Sequence, residues 1–241
     1  MNKRNSALIV FLLLFICSAY RPGPKPSTEI KTVVIDAGHG GKDPGNVGTQ
    51  FKEKDIALAV ALKFGKHIED NFKDVKVIYT RKTDTFPELN ERPTMANNNK
   101  ADLFISIHCN ASVSKSAHGS ETFVMGLGNE KGSIEVAKRE NSAILMEDNY
   151  EKKYEGFNPN SDEANIIFTM YQTTYVDLSL NLASKIQSQY KEKVSKINRG
   201  VKRASFWVLW KAAMPSILTE IGFYPILKSK NILVLKKVRR K

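Results

Sequence analysis

VVIDAGHGGKDPG, Val33–Gly45, starts as one kind of structure and ends as another. Apolar residues rich in β-branches run without interruption to Asp36, which is the pattern of a strand buried on both faces. The chain then turns glycine-rich, and His39 stands among Gly38, Gly40 and Gly41, with Pro44 and Gly45 behind it. Glycines at such positions permit a tight turn and close approach of the backbone. The imidazole can therefore point at a shared ligand with no bulky neighbour in front of it. A phosphate cradle is the competing reading, but GGKDPGNVG does not fit the P-loop spacing and no helix begins directly after it.

Outward from this loop, Lys54–Asn71 carries Ala57, Val60, Ala61, Phe64 and Ile68 at helical spacing, a face suited to lie on a sheet. VKVIYT (75–80), DLFISIH (102–108) and SETFVMG (120–126) read as strands two to four. Residues 87–99 read as a helix in which Pro93 is an irregularity, and a long helix is expected from about 162 to 194. Two more strands are expected near 205–210 and 216–221. Strands alternating with helices give an α/β fold: a single-domain, open, mostly parallel twisted sheet flanked by helices. Residues 128–165 are polar and broken by Gly156 and Pro159, and read as an insertion after the fourth strand, outside the core.

The N-terminus belongs to a different class of segment. Lys3 and Arg4 precede the apolar run Ala7–Cys17, and small residues follow in CSAY. Eleven residues rise only about 16 Å as a helix, too little for a bilayer core of roughly 30 Å. Residues 1–19 therefore read as a signal peptide, with a membrane anchor as the alternative, and 20–30 as a linker. Export across the inner membrane to the periplasm or cell wall follows. With Cys17 removed, Cys109 has no partner for an internal disulfide. The composition, 41% hydrophobic and 26% charged, excludes wholesale disorder. The formal net charge of +12 points, in an exported protein, to anionic wall polymer or membrane surface rather than nucleic acid, with solubility as the plain alternative.

Among the four histidines, His39 comes three residues after Asp36, where the first strand ends, and His108 ends the third strand. Ligands of parallel sheets bind in the crevice beyond the carboxyl ends of the strands. Two imidazoles there suggest a metal site, which needs a third ligand and an open position. Glu53 is the candidate, with Asp43, Asp55 and Glu121 as rivals; its plain role is to stabilise a helix N-terminus. Glu220 follows the apolar run SILT, where a carboxylate is costly unless paired or functional. It is a candidate general base or a structural partner of a cation. Cys109, next to His108, should face the other way and be buried. Trp207 and Trp210, three apart in an expected strand, should face opposite ways.

VVIDAGHGGKDPG, EKDIAL, TRKTD, ERPTMAN, LFISIHCNA, HGSETFV and SILTEIGF occur in this order and resemble the zinc-dependent N-acetylmuramoyl-L-alanine amidases of the amidase 3 family. The likeness spans Lys31–Phe223, with 31–225 as the implied catalytic domain. It implies Zn2+ held by His39, Glu53 and His108, and Glu220 as the catalytic carboxylate, with Arg81, Arg92 and Asn110 in supporting roles. The implied reaction is hydrolysis of the amide between the lactyl group of muramic acid and L-Ala of the peptidoglycan stem peptide, in wall remodelling or daughter-cell separation. The alternatives are a non-catalytic peptidoglycan-binding module and a zinc hydrolase of another amide bond. Some similar amidases carry a segment that covers the zinc until a partner moves it. Glu140, Glu147, Asp148 and Glu151 of 128–165 could approach the metal in that way, so an activator protein is a possible partner; a surface excursion is the plainer reading. The tail 226–241 departs from the family: seven of its last fourteen residues are Lys or Arg.

Overall fold

The computed structural model describes residues 29–48, 51–112, 116–128, 130–159, 174–194 and 197–225. The signal peptide 1–19, nearly all of the linker 20–30, the tail 226–241 and the first part of the long helix expected from 162 lie outside the described residues. Two units divide the chain, Met1–Ile30 and Lys31–Lys241, and the fold below is that of the second.

Its elements in order are β1 Thr32–Ala37, α1 Glu53–Asn71, β2 Lys76–Tyr79, α2 Glu91–Asn98, β3 Leu103–Ser112 and β4 Ser120–Met125. There follow α3 Lys131–Asn141, a 3-10 turn Ser142–Met146, α4 Tyr150–Lys153, α5 Val176–Val194, β5 Asn198–Ala204, α6 Trp207–Trp210 and β6 Ser216–Pro225. The six strands form one sheet in the order β2-β1-β3-β6-β4-β5. All neighbours are parallel except β4 and β6, so the sheet is mostly parallel as expected. No helix among the described residues is long and apolar enough to cross a membrane.

Alternation along the strands splits the core in two. Val33, Ile35, Ile105, Ile107 and Ile217 face α1 and α5, meeting Ala61, Phe64, Ala183 and Ile186. Val34, Phe104, Phe123, Met125 and Leu218 face the other way. Gly65 lets α1 settle close on the sheet, because a Cβ there would lie 1.9 Å from the Tyr79 hydroxyl.

The expectations for 128–165, for 205–210, for the two tryptophans and for Pro93 need correction. The segment 128–165 is not outside the core over its described part: Val136, Ala137, Ile144, Tyr154 and Phe157 are buried in the second cluster. Tyr154 and Phe157 both pack on the Trp207 ring, with centroids 4.8 and 4.7 Å away. Polar residues hid this because the apolar positions are few, at helical spacing, and face inward. The strand expected near 205–210 is instead the short helix α6, and the strand is the preceding polar Asn198–Ala204. An edge strand of a half-covered sheet tolerates charge, so apolar content misplaced it by several residues. In a helix Trp207 and Trp210 share a face, with centroids 4.7 Å apart, rather than facing opposite ways. Pro93 is no irregularity either: it sits in the first turn of α2, where a missing N–H breaks no helical bond.

Beneath the glycine loop lies a buried ion pair. Asp36 is fully buried, accepts bonds from Thr80 Oγ1 at 2.7 Å and Ser106 Oγ at 2.6 Å, and pairs with Arg92 Nη1 at 2.9 Å. It joins β1, the residue after β2, the middle of β3, and α2. Replacing Asp36 by Ala strands the guanidinium in the interior. Urea titration should show a loss of about 3–5 kcal/mol of stability, with the native fold retained at low denaturant.

Candidate metal centre

The loop after β1 does what its glycines allow. His39 adopts a left-handed backbone conformation, φ 60°, rare for a residue with a Cβ. This turns its ring back over the end of β1 toward His108, the ring centroids being 4.7 Å apart. His108 does not end β3 as expected: it lies within the strand, at the register shift with β6, and the pairing continues to Ser112. A Cβ on Gly38 would lie 2.4 Å from the His108 ring. Gly45, at φ 61°, would carry a Cβ 2.6 Å from the His39 ring and 2.8 Å from Glu53 Cβ. The glycines are thus the space the two imidazoles and the carboxylate occupy.

Glu53 opens α1 and is completely buried. Its Oε1 lies 3.2 Å from His39 Nε2 and 3.3 Å from His108 Nδ1. The other oxygen accepts bonds from Asn46, at 3.0 Å from the backbone and 2.6 Å from the side chain. The backbone N–H of Cys109 donates to Oε1 at 3.0 Å, and the Cys109 side chain is buried. The rivals for this place stand elsewhere. Asp43 accepts from His39 Nδ1 at 2.7 Å and so orients the ring. Glu121 accepts from Asn110 Nδ2 at 3.0 Å and pairs with Lys202 at 2.9 Å, and Asp55 is exposed.

A fourth carboxylate completes the group. Glu140, near the end of α3, sets Oε2 3.1 Å from His39 Nε2 and 3.1 Å from His108 Nδ1. Of the acidic residues in 128–165 it alone among the described residues joins this group. Glu147 accepts from the Leu89 N–H and the Tyr154 hydroxyl, both at 2.7 Å, while Asp148 and Glu151 are exposed. Nothing in sequence separated Glu140 from those three, because which of them turns inward depends on how α3 crosses the sheet.

One donor atom from each of His39, Glu53, His108 and Glu140 lies within 4.8 Å of the others, and the four could hold a metal ion. The donor chemistry fits. With Nδ1 committed to Asp43, Nε2 of His39 has no hydrogen-bond partner and in the neutral imidazole offers its lone pair to an ion, and Glu140 Oε2 has no such partner either. Burial alone would lower the imidazoles and raise the carboxyls. Mutual attraction outweighs it: Glu140 and Glu53 raise His108 to about 9, and the same carboxylates hold His39 well above its usual value. Glu53 and Glu140 are in turn held far below the usual carboxylate range by the imidazoles. Two bound protons thus balance two buried carboxylates. A divalent ion with neutral imidazoles would strike the same balance.

Glu220 stands beside the group on β6, in register with His108 across the sheet. It is completely buried and neither carboxylate oxygen has a hydrogen-bond partner. Burial, then the charges of Glu53 and Glu140, push its carboxyl well above the usual range. Arg139 approaches it at 3.8 Å while bonding Glu140 Oε1 and Asn110 Oδ1, each at 3.0 Å. Asn110, expected in a supporting role, therefore steadies Arg139 and Glu121 rather than the four-residue group itself. Arg92 donates to the His39 carbonyl at 3.1 Å.

Comparison with known proteins agrees with this fold. The family model for N-acetylmuramoyl-L-alanine amidase matches residues 33–241. The uncharacterized protein YqiI of Bacillus subtilis is 36% identical over 197 residues, 81% of this chain and 71% of that one. N-acetylmuramoyl-L-alanine amidase AmiA of Escherichia coli is 31% identical over 225 residues, 92% of this chain and 75% of that one. The crystal structure of an N-acetylmuramoyl-L-alanine amidase from Clostridium difficile superposes with a TM-score of 0.57 at 28% identity, covering 81% of each chain. The CwlD amidase of Clostridioides difficile, solved in complex with the GerS lipoprotein, superposes at 0.55 with 27% identity over 86% of this chain and 88% of that one.

The raised imidazoles have a consequence for stability. The contribution of His108 is complete below the unfolded value near pH 6.5 and is lost as pH rises through about 9, and that of His39, raised by the same carboxylates, falls with rising pH as well. The raised carboxyl of Glu220 adds to the same downward trend. The melting temperature of metal-stripped protein should fall between pH 6.5 and 9, and saturating divalent metal, which replaces the protons, should flatten that slope.

Proposed function

The chain belongs to the N-acetylmuramoyl-L-alanine amidase family, and on that premise we propose that residues 31–225 form its catalytic domain, with His39, Glu53 and His108 holding zinc and Glu220 as catalytic carboxylate. The activity is that of the family: hydrolysis of the amide between the muramic acid lactyl group and L-Ala of the stem peptide, with peptidoglycan as substrate. The observation that carries the site assignment is the convergence of buried imidazole and carboxylate donors at the carboxyl edge of the sheet, with an unpartnered carboxylate on the adjoining strand.

When bound, zinc supplies Lewis acidity, polarising a carbonyl and lowering the pKa of water to about 7. The chain's own groups do the rest. Asp43 holds the His39 ring with its free nitrogen toward the site. Asn46 and the Cys109 N–H fix Glu53. Glu220, with both oxygens unbonded, takes a proton from the attacking water and delivers it to the leaving nitrogen as the C–N bond breaks. One product is the lactyl carboxylic acid and the other the free amine of L-Ala. A cation among the donors offsets the repulsion from Glu53 and Glu140, and so brings Glu220 toward the ionised form a base requires.

Glu140 supports a regulated enzyme. Its carboxylate takes the side of the group where an open position is needed, so α3 acts as a stopper. An activator protein acting on 128–165 and shifting α3 would open the site, and the solved complex of the CwlD amidase with a lipoprotein supports such a partner. A signal peptide at 1–19 would deliver the enzyme to the wall, and its basic surface would favour anionic polymer there.

Digestion of purified muropeptides should yield free stem peptide and intact glycan, and chelators should abolish it. A binding module would cut nothing, and another zinc hydrolase would leave different ends. Glu220→Ala should lower turnover by about 10²–10⁴-fold while zinc stays bound; unchanged turnover would reassign the base.

Deleting 128–165 is a poor test of the stopper, because Tyr154 and Phe157 hold the core together. Glu140→Ala should instead raise basal activity about tenfold, the gain expected when a competent state populated near 10% becomes dominant.

A further inference from the structure

Arg81 follows β2, and its residue is buried, with 3% of its surface exposed. Its guanidinium meets only carbonyl oxygens among its hydrogen bonds. Nε donates to Ala37 O at 2.9 Å and Nη1 to Thr83 O at 3.2 Å. Nη2 donates twice, to Gly38 O at 2.7 Å and Lys54 O at 2.8 Å. Gly38 immediately precedes His39, and Lys54 immediately follows Glu53. One nitrogen therefore ties together the two backbone positions that adjoin two of the expected metal donors.

Burying a cation whose hydrogen bonds all run to neutral acceptors is costly: burial, and then the charge of Arg92, lowers the guanidinium's pKa, and the charges of Asp36, Asp84 and Asp55 offset this only in part. A residue kept at such a cost for packing alone would be better replaced by an apolar one. Arg92 makes the contrast: it has a carboxylate partner in Asp36, and its bonds run to β1, to the His39 carbonyl and to Pro87, not to α1. The glycine loop is also moulded on Arg81. A Cβ on Gly40 would lie 2.0 Å from Thr85 O and 2.9 Å from Arg81 Nε, and Gly40 has φ 124°.

We propose that Arg81 is a positioning residue for the metal: its planar fork sets the separation of His39 from Glu53, and thereby the affinity and geometry of the site. The proposal rests on the zinc reading above. Donors in such a site must be held to within a fraction of an ångström, and partners behind the ligands commonly change affinity 10–100-fold. Lysine cannot substitute, because its single ammonium lacks the fork that reaches Ala37, Gly38 and Lys54 together.

The test uses the full chain, stripped of metal and titrated with Zn2+ against a chromophoric chelator, and with Co2+ followed by its visible absorption. Arg81→Lys should bind Zn2+ about 10–100-fold more weakly than wild type, with a weakened or shifted Co2+ spectrum. Trp207→Phe, which lies in the core and loses its bond to Asn90, supplies the structural control: a lower melting temperature with unchanged Zn2+ affinity and Co2+ spectrum. If Arg81→Lys lacks native near-UV circular dichroism, Arg81→Gln takes its place, keeping an N–H donor without the charge. Wild-type binding in a folded Arg81 variant overturns the positioning role while leaving the zinc reading intact. Failure of both variants to fold assigns Arg81 to the fold and overturns it too. A wild-type chain that binds no zinc overturns the reading on which it rests.

Discussion

Four ionisable side chains share one buried space at the carboxyl edge of the sheet, and their mutual attraction is the constraint around which the molecule is organised. His39, Glu53, His108 and Glu140 come from a loop, a helix start, the strand β3 and the helix α3. Separately, each would be expensive to bury as an ion. Together they balance, either with protons on the imidazoles or with a divalent cation in their place. The arrangement stays tolerable only while all four are held close, and much of the nearby fold does that holding.

The holding is done mainly by polar contacts beneath and behind the donors. Asp43, Asn46 and the Cys109 N–H each bond a donor directly. Behind them, Asp36 with Arg92 ties β1 to its neighbours, and Lys54 Nζ bonds both Gly41 O at 2.9 Å and Asp84 at 2.6 Å. The strained φ of His39 persists because these contacts over-determine it. Glycine at 38 and 45 is demanded by the neighbouring rings and carboxylate as much as by the turn.

The segment after β4 gives the site a second character. It carries core residues, so it cannot be shed like a loose flap, and it carries Glu140 and Arg139, which touch the donors and Glu220. Packing and occlusion are thus built into the same stretch. Opening the site means breaking polar contacts of α3 while the Tyr154 and Phe157 anchors remain, a local change rather than an unfolding.

Local pattern was enough for β1, α1, β3 and the strand bearing Glu220, and for placing His39 in the loop beyond β1: strand and helix periods are short-range properties. It ended β3 too early, at His108, because the pairing with β6 that carries the strand on to Ser112 is a long-range contact. The family likeness then singled out Glu53 and Glu220 from their rivals. Periodicity failed at Asn198–Ala204, where an edge strand tolerates charge, and at Trp207–Trp210, where a single helical turn is too short to display its period. The inward turn of Glu140 rather than Glu147, the orienting of His39 by Asp43, and the double bond of Arg81 to Gly38 and Lys54 were decided only in three dimensions. Each depends on segments distant in sequence meeting at one point. That meeting is set by how helices cross the sheet, and no spacing within a single stretch of chain encodes it.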